Sequence, residues 1–351
     1  MTHTCTFSTS HGRRVALRTP VDLRVHARVS PRVLATAAAS VAAALALAAC
    51  TTGSAESGTA TISLANCGRT VTLDGPAERG VTLNQGATET ALSIGAQDRM
   101  AGTAYLDDAI APQWAAAYAQ VPALDEKDYP SREALLEAKP DLVTASYSGA
   151  FDDKAVGSHE SFDELGVATY VSPFGCKDKS TRPAVAWDSI GSEITDYGTM
   201  FGREDEAAAV VAQMRETLAG IESAAPAKGK SIFWYDSNTT TPYVGANAGG
   251  PQLIIDAVGG TNIFAGTAGS WADGSWETVL AANPDVIVLA DASWDTAEEK
   301  KAYLRGDPAL KDLKAVRDDA FVVVPFSTTT PGPRTIEGAS LVAGQLGGDG
   351  A

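Results

Sequence analysis

The chain has 351 residues, 44% of them hydrophobic and 20% charged, a globular composition with enough length for two domains of ordinary size. Its 27 Lys and Arg against 43 Asp and Glu leave a formal charge of −16, which repels phosphate backbones and anionic headgroups and argues against nucleic-acid binding. Of four histidines, His3, His11 and His26 lie in the first fifty residues, so a histidine-built metal site or base has little to draw on.

Residues 1–49 read as a lipoprotein signal peptide. Arg13, Arg14, Arg18, Arg24, Arg28 and Arg32, with the single acid Asp22, precede an uncharged run from Val33 to Ala49 that ends in Leu47-Ala48-Ala49-Cys50. A basic region, an apolar region and small residues before a cleavage point are the parts of a secretory signal. The Cys50 thiol is then the site of lipidation. A transmembrane anchor with a chance cysteine is the competing reading, but this run is short for a span and mostly weakly apolar alanine. The expected location is extracytoplasmic, on the outer face of the cytoplasmic membrane. Residues 50–60 are small and polar, a flexible tether with a root-mean-square reach of roughly 17 Å.

The body that follows predicts strands at 61–65, 70–73, 80–83, 99–103, 141–145 and 167–171, then 230–236, 285–290 and 320–324, with helices between most of them. Cys67 and Cys176 remain in an oxidising compartment without metal-ligand spacing, and read as one structural disulfide or, failing that, two free buried thiols. Ser131 to Val143 (SREALLEAKPDLV) is repeated as Ser275 to Ile287 (SWETVLAANPDVI), each a short helix, a Pro-Asp turn and a buried strand. A looser match joins Val81–Ala96 to Tyr243–Gly259. Two α/β units occurring twice imply two Rossmann-like lobes, at 61–181 and 229–351.

Between them, Trp187, Ile190, Ile194, Tyr197 and Phe201 recur at helical steps, and Val210, Val211, Met214, Leu218 and Ile221 continue after Gly202. This predicts a long rigid helical bridge over 182–228 that limits domain closure. A closing helix is predicted over about 333–346.

No G-x-S-x-G elbow or P-loop is present, and His159 reads as an exposed first-turn helix residue without a role. Acids are plentiful, but no spacing singles out a catalytic pair. Several aromatics follow the C-terminal ends of strands, where open α/β sheets bind ligands: Tyr105, Tyr147, Phe174, Tyr235, Tyr243, Trp271, Trp276, Trp294 and Phe326. As a set they suggest an aromatic-lined cleft.

The lipobox, the duplicated helix-Pro-Asp-strand unit and the helical bridge together resemble the class III substrate-binding lipoproteins of ABC importers, the iron-siderophore and cobalamin group. The motifs carrying the resemblance are Ala87-Thr88-Glu89 with the Ile94-Gly95 helix end, Lys139-Pro140-Asp141-Leu142-Val143 and Gly332-Pro333-Arg334. Asn66-Cys67-Gly68, Tyr170-Val171-Ser172-Pro173 with Cys176, Thr241 to Ala246 and Val322 to Phe326 are similar to an actinobacterial subgroup assigned to a coenzyme F-420 precursor, a deazaflavin. The resemblance implies that Glu133 and Glu277, in equivalent places in the two repeats, dock on permease arginines; their other reading is complementation of a helix N-terminus. It also implies ligand contacts from Asn84, Gln85, Tyr243, Trp271 and Arg334, with Lys177, Lys179 and Arg182 as the other cations within reach.

The expectation is therefore a monomeric, lipid-anchored receptor that captures a bulky small molecule, a deazaflavin precursor, ferric siderophore or corrinoid, and delivers it to an ABC permease and its ATPase. It needs no cofactor and no metal, and it is not an enzyme. The rival readings are an extracytoplasmic enzyme using cleft carboxylates and a scaffold lipoprotein with no cleft ligand.

Overall fold

Two sheets carry the architecture. The computed structural model of the protein describes residues 60–347, all within one compact unit, Thr59–Ala351; the expected signal peptide, Cys50 and nearly all of the tether lie outside the described residues. A hairpin, β1 (Ile62–Asn66) and β2 (Arg69–Leu73), leads into a five-stranded sheet of β3 (Gly80–Leu83), β4 (Met100–Ala104), β5 (Ala123–Asp125), β6 (Leu142–Ala145) and β7 (Ala168–Val171). Its order is β5-β4-β3-β6-β7, and every pairing is parallel. β3, β6 and β7 read GVTL, LVTA and ATYV with every residue buried, the continuous runs that a sheet covered on both faces requires.

The second sheet holds β8 (Ser231–Ser237), β9 (Tyr243–Gly245), β10 (Thr261–Asn262), β11 (Trp271–Asp273), β12 (Val286–Asp291) and β13 (Phe321–Pro325). Its order is β11-β9-β8-β12-β13, with β10 beside β8; β9 pairs antiparallel with both β8 and β11, and the other pairings are parallel. We call each sheet with its helices a lobe. The mixed α/β architecture implied by the sequence is present.

The duplicated Pro-Asp turn has one physical job in both lobes. Lys139 and Asn283, each just before the proline, take positive φ, 50° and 42°, and end their helices. The following aspartates then accept main-chain hydrogen bonds at the start of a neighbouring strand: Asp141 from Glu78 (2.7 Å) and Arg79 (3.1 Å), Asp285 from Ser231 (2.8 Å). Lys314 pairs with Asp285 and, with the Ser231 bonds, holds its pKa down at about 2.

The expected single bridge is two helices. Trp187–Phe201 ends at Gly202, which adopts φ 61°, and Glu204–Ala224 folds back against it. Close approach is permitted by Gly191, against Val211 and Met214, and Gly198, against Ala207. The reversal follows from Gly202, whose left-handed conformation terminates a helix that the apolar spacing alone would continue. The second helix, 21 residues or about 31 Å long, buries Ala207, Val211 and Met214 in the first lobe's core and Ile221 in the second's. Connection between the lobes is thus helical, as expected, but by one arm of a hairpin. Thr335–Gly347 is the closing helix. Among the described residues no helix is long and apolar enough to cross a membrane.

Candidate functional site

A cleft of about 730 Å³ lies between the lobes, at the C-terminal ends of the sheet strands. Gln85 and Gly86 reach it after β3, Ser146 and Tyr147 after β6, and Ser172 and Phe174 after β7; opposite them stand Asn247 after β9, Trp271 on β11, and Phe326 after β13. Four rings, Tyr147, Phe174, Trp271 and Phe326, give the walls apolar area in rigid form. Trp294, 57% exposed, extends this surface beside Phe326, with ring centroids 5.1 Å apart.

The first-lobe wall is tightly constrained. A Cβ on Gly175 would come within 1.9 Å of the Ser146 carbonyl oxygen, so glycine is what lets the loops after β6 and β7 close together. Cys67, in the turn of the β1–β2 hairpin, is disulfide-bonded to Cys176, with Cα atoms 5.3 Å apart, directly behind that wall. Asn66 caps the same edge by donating to the Val171 carbonyl (2.7 Å) and accepting from its N–H (2.9 Å). Arg182 Nε donates to the Cys176 carbonyl at 2.6 Å. The first-turn N–H of Ala87 is already spent on Ser146 Oγ at 3.0 Å, so this helix end offers an anion less than its position suggests.

Of the five residues expected to contact ligand, the structure brings Gln85 and Trp271 together in the cleft lining. Asn84, Tyr243 and Arg334 are not among the lining residues. Asn84 is buried at φ 72° with its amide bonded to the Tyr129 hydroxyl (3.1 Å), a turn-forming role. Tyr243 opens β9 opposite Asp273 and is half-buried. Arg334 is only 4% exposed, and Glu89, Glu337 and Ser327 consume its guanidinium, so it ties the lobes together rather than serving a ligand. Lys179 and Arg182 line the cleft as exposed rim cations, whereas Lys177 pairs with Asp152 at 3.6 Å.

His159 is also corrected. It is half-buried, stacks on Phe151 with centroids 4.3 Å apart, and its Nδ1 lies 2.8 Å from Thr169 Oγ1; burial lowers its pKa. Its role is structural. Tyr235 and Trp276, expected among the cleft aromatics, pack in the second lobe's core instead, Tyr235 stacked on Phe233 and Trp276 edge-on to both.

Two carboxyls, Glu89 and Glu193, prove to be buried, a role that their sequence positions do not assign. Burial raises Glu89 to about 7 against the pull of Arg334, and raises Glu193 to about 7 with only Ser172 beside it to offset the shift. Glu193 lines the cleft. Its signal in the sequence is an acid set within the apolar stripe of Ile190, Ile194 and Tyr197.

Glu133 and Glu277 occupy matching positions, each exposed in the first turn of a helix whose N-cap serine, Ser131 or Ser275, accepts the N–H three residues on at 3.2 and 3.1 Å. The serines already serve the helix ends. Among the described residues neither glutamate has an ion-pair partner, and no cluster of three or more His, Cys, Asp or Glu is placed to hold a metal ion.

Comparison with known proteins agrees with this geometry. The profile of the periplasmic binding protein family matches residues 81–328. A cobalamin-binding protein of Halobacterium salinarum is 25% identical over 285 residues, 78% of this chain and 70% of that protein. Among solved structures, a periplasmic binding protein from Veillonella parvula superposes with a TM-score of 0.71 at 29% identity, covering 82% of this chain and 98% of that one. An ABC-type Fe3+-hydroxamate transport system from Saccharomonospora viridis gives 0.67 at 26% identity, covering 82% and 99%.

Proposed function

The chain belongs to the periplasmic binding protein family, and we propose that it is the lipid-anchored receptor of an ABC importer for a bulky, ring-containing small molecule. It is an extracytoplasmic binding protein of the siderophore and cobalamin transport type, and it is not an enzyme. The observation that carries the ligand reading is the interlobe cleft of about 730 Å³ walled by Tyr147, Phe174, Trp271 and Phe326. Such a volume suits a single large ligand, and aromatic walls bury it with little entropy lost on ordering.

A ferric siderophore, a corrinoid and a deazaflavin precursor are the ligand classes that fit. The names of the relatives favour the first two; the motif likeness around Cys67, Cys176 and Thr241 to Ala246 favours the third. In this reading residues 1–49 are removed, Cys50 carries the lipid, and 50–60 hold the body near the membrane. The lobes are 61–181 and 229–351, with 182–228 between them. Glu133 and Glu277 then engage basic residues of the permease, one from each lobe, and the monomeric receptor hands over its ligand to a transporter driven by its ATPase.

Whole-cell uptake tests the assignment. A strain carrying Glu133→Ala with Glu277→Ala is expected to lose accumulation of the labelled ligand while the purified variant keeps wild-type affinity. Undiminished uptake by the double variant contradicts the docking role.

A further inference from the structure

The cleft contains a buried acid for which the described residues supply no ion-pair partner. Glu193 lies on the Trp187–Phe201 helix, is 3% exposed, and lines the cleft. Ser172, also in the lining, is the one neighbouring side chain that offsets the effect of burial on its carboxyl. The other titratable groups felt there are Asp196 on the same helix, Tyr197 beside it and Tyr170 on β7, none of them cationic. Among the described residues Glu193 makes no ion pair.

A carboxylate has about four lone-pair sites, and a single neighbouring hydroxyl can fill only one of them. A buried charge left in that state is costly unless something else completes it. It caps no helix and joins no lobes, since the lobe tie runs through Glu89 and Arg334 instead.

We propose that Glu193, with Ser172, is the cleft's recognition site for a hydrogen-bond donor of the ligand, an N–H or O–H edge or a protonated amine. The exposed Lys179 and Arg182 occupy the rim, so an acidic substituent of the same ligand is accommodated there, and the ligand class is amphoteric: donor inward, acid outward. Ligands that would place a carboxylate or a bare hydrocarbon against Glu193 are disfavoured, because the acid would then lose its water without gaining a donor. This deepens the receptor reading and rests on it. Burial holds the free acid at about 7, so donor binding draws it toward the ionised form and capture strengthens from pH 6 to pH 8.

The test is a tryptophan-fluorescence titration of the full-length protein and its Glu193→Gln variant with ferrioxamine B, cyanocobalamin and 8-hydroxy-5-deazariboflavin, at pH 6 and pH 8. A probe that binds the wild type is expected to lose 10- to 100-fold in affinity in the variant, and the gain between pH 6 and pH 8 is expected to vanish. Equal affinity in the two proteins for a probe that binds overturns the recognition site and leaves the receptor standing. Binding of none of the three to the wild type overturns the receptor reading and the inference with it. Cooperative thermal unfolding of the variant at or above the wild-type midpoint shows that the substitution has not simply unfolded the lobe.

Discussion

Arg334 and Glu89, 245 residues apart in sequence, meet at 3.3 Å between the two lobes with side chains only 5% and 2% exposed. The guanidinium is also held by both oxygens of Glu337, at 3.0 Å each, and by Ser327, while Gln85 Nε2 and the Ala111 N–H donate to Glu89 at 2.9 and 3.0 Å. Asp108 adds a second tie, accepting from Ser327 Oγ at 2.8 Å. Beside a helical connection, this buried network gives the cleft a polar hinge with fixed geometry.

Removing Arg334 strands Glu89 in the interior, and breaking such pairs typically costs about 3–5 kcal/mol. Arg334→Ala is therefore expected to lower the urea midpoint strongly. Glu89→Gln should cost less, because Glu337 still holds the arginine and the amide can still accept. Equal, small losses in both variants would remove the network from any account of lobe placement.

Glu193 sets a pH dependence whose sign is fixed. Its folded-state pKa, raised by burial to about 7 from 4.5, means the folded protein holds a proton that the unfolded chain has released. Its contribution is fully present below pH 4.5 and is lost as pH rises to about 7, by roughly 3 kcal/mol for a shift of this size. Glu193→Gln should flatten that slope and leave the protein more stable at pH 8. Asp285 acts oppositely: depressed to about 2 by Lys314 and Ser231, it contributes above pH 3.8 and loses that contribution as the medium is acidified toward pH 2. Denaturant titrations at intervals from pH 4 to 8 measure the first effect, and the prediction fails if wild type and Glu193→Gln trace parallel curves.

Gly175→Ala places a methyl group against the Ser146 main chain, where neither partner is a flexible side-chain end. The loops after β6 and β7 must separate, carrying Tyr147 and Phe174 with them. A loss of about 1–3 kcal/mol and a marked drop in ligand affinity are expected. Unchanged calorimetric stability and affinity would show that the wall tolerates displacement.

The Cys67–Cys176 bond closes a loop with a sequence separation of 109 residues, and removing a native disulfide typically costs about 2–5 kcal/mol. The double change Cys67→Ala with Cys176→Ala is expected to lower the unfolding midpoint and weaken ligand capture, since the bond backs Phe174 and Gly175. Hydrogen exchange should rise first in β7 and in 172–176. Uniform change throughout the second lobe would be inconsistent with this location.

Much of the fold is legible because its signals are local. β3, β6, β7, β8, β12 and β13 are continuous or nearly continuous apolar runs bounded by turns, and the Pro-Asp repeat marks where two of them begin. β5, β10 and β11 have two or three residues and therefore no period to read. The apolar stripe from Trp187 to Ile221 is real, but spacing does not show that Gly202 reverses the chain. The cleft is half legible: rings after strand ends find Tyr147, Phe174, Trp271 and Phe326. Arg334 is misread because its partner Glu89 lies 245 residues away, and no local pattern shows that a cation is already neutralised. Glu193 is visible as an acid on an apolar stripe, yet only the packing of its helix turns it toward the cleft.

The central claim is that the cleft captures one bulky ring-containing molecule, and thermal unfolding of the purified protein with ferric siderophores, corrinoids and deazaflavin precursors tests it most directly. Ligand at 100 times its dissociation constant adds about 2.7 kcal/mol, so one class should raise the midpoint by several degrees, and Trp271→Ala with Phe174→Ala should abolish the rise. No shift with any class, or a shift that survives loss of both rings, contradicts capture in this cleft.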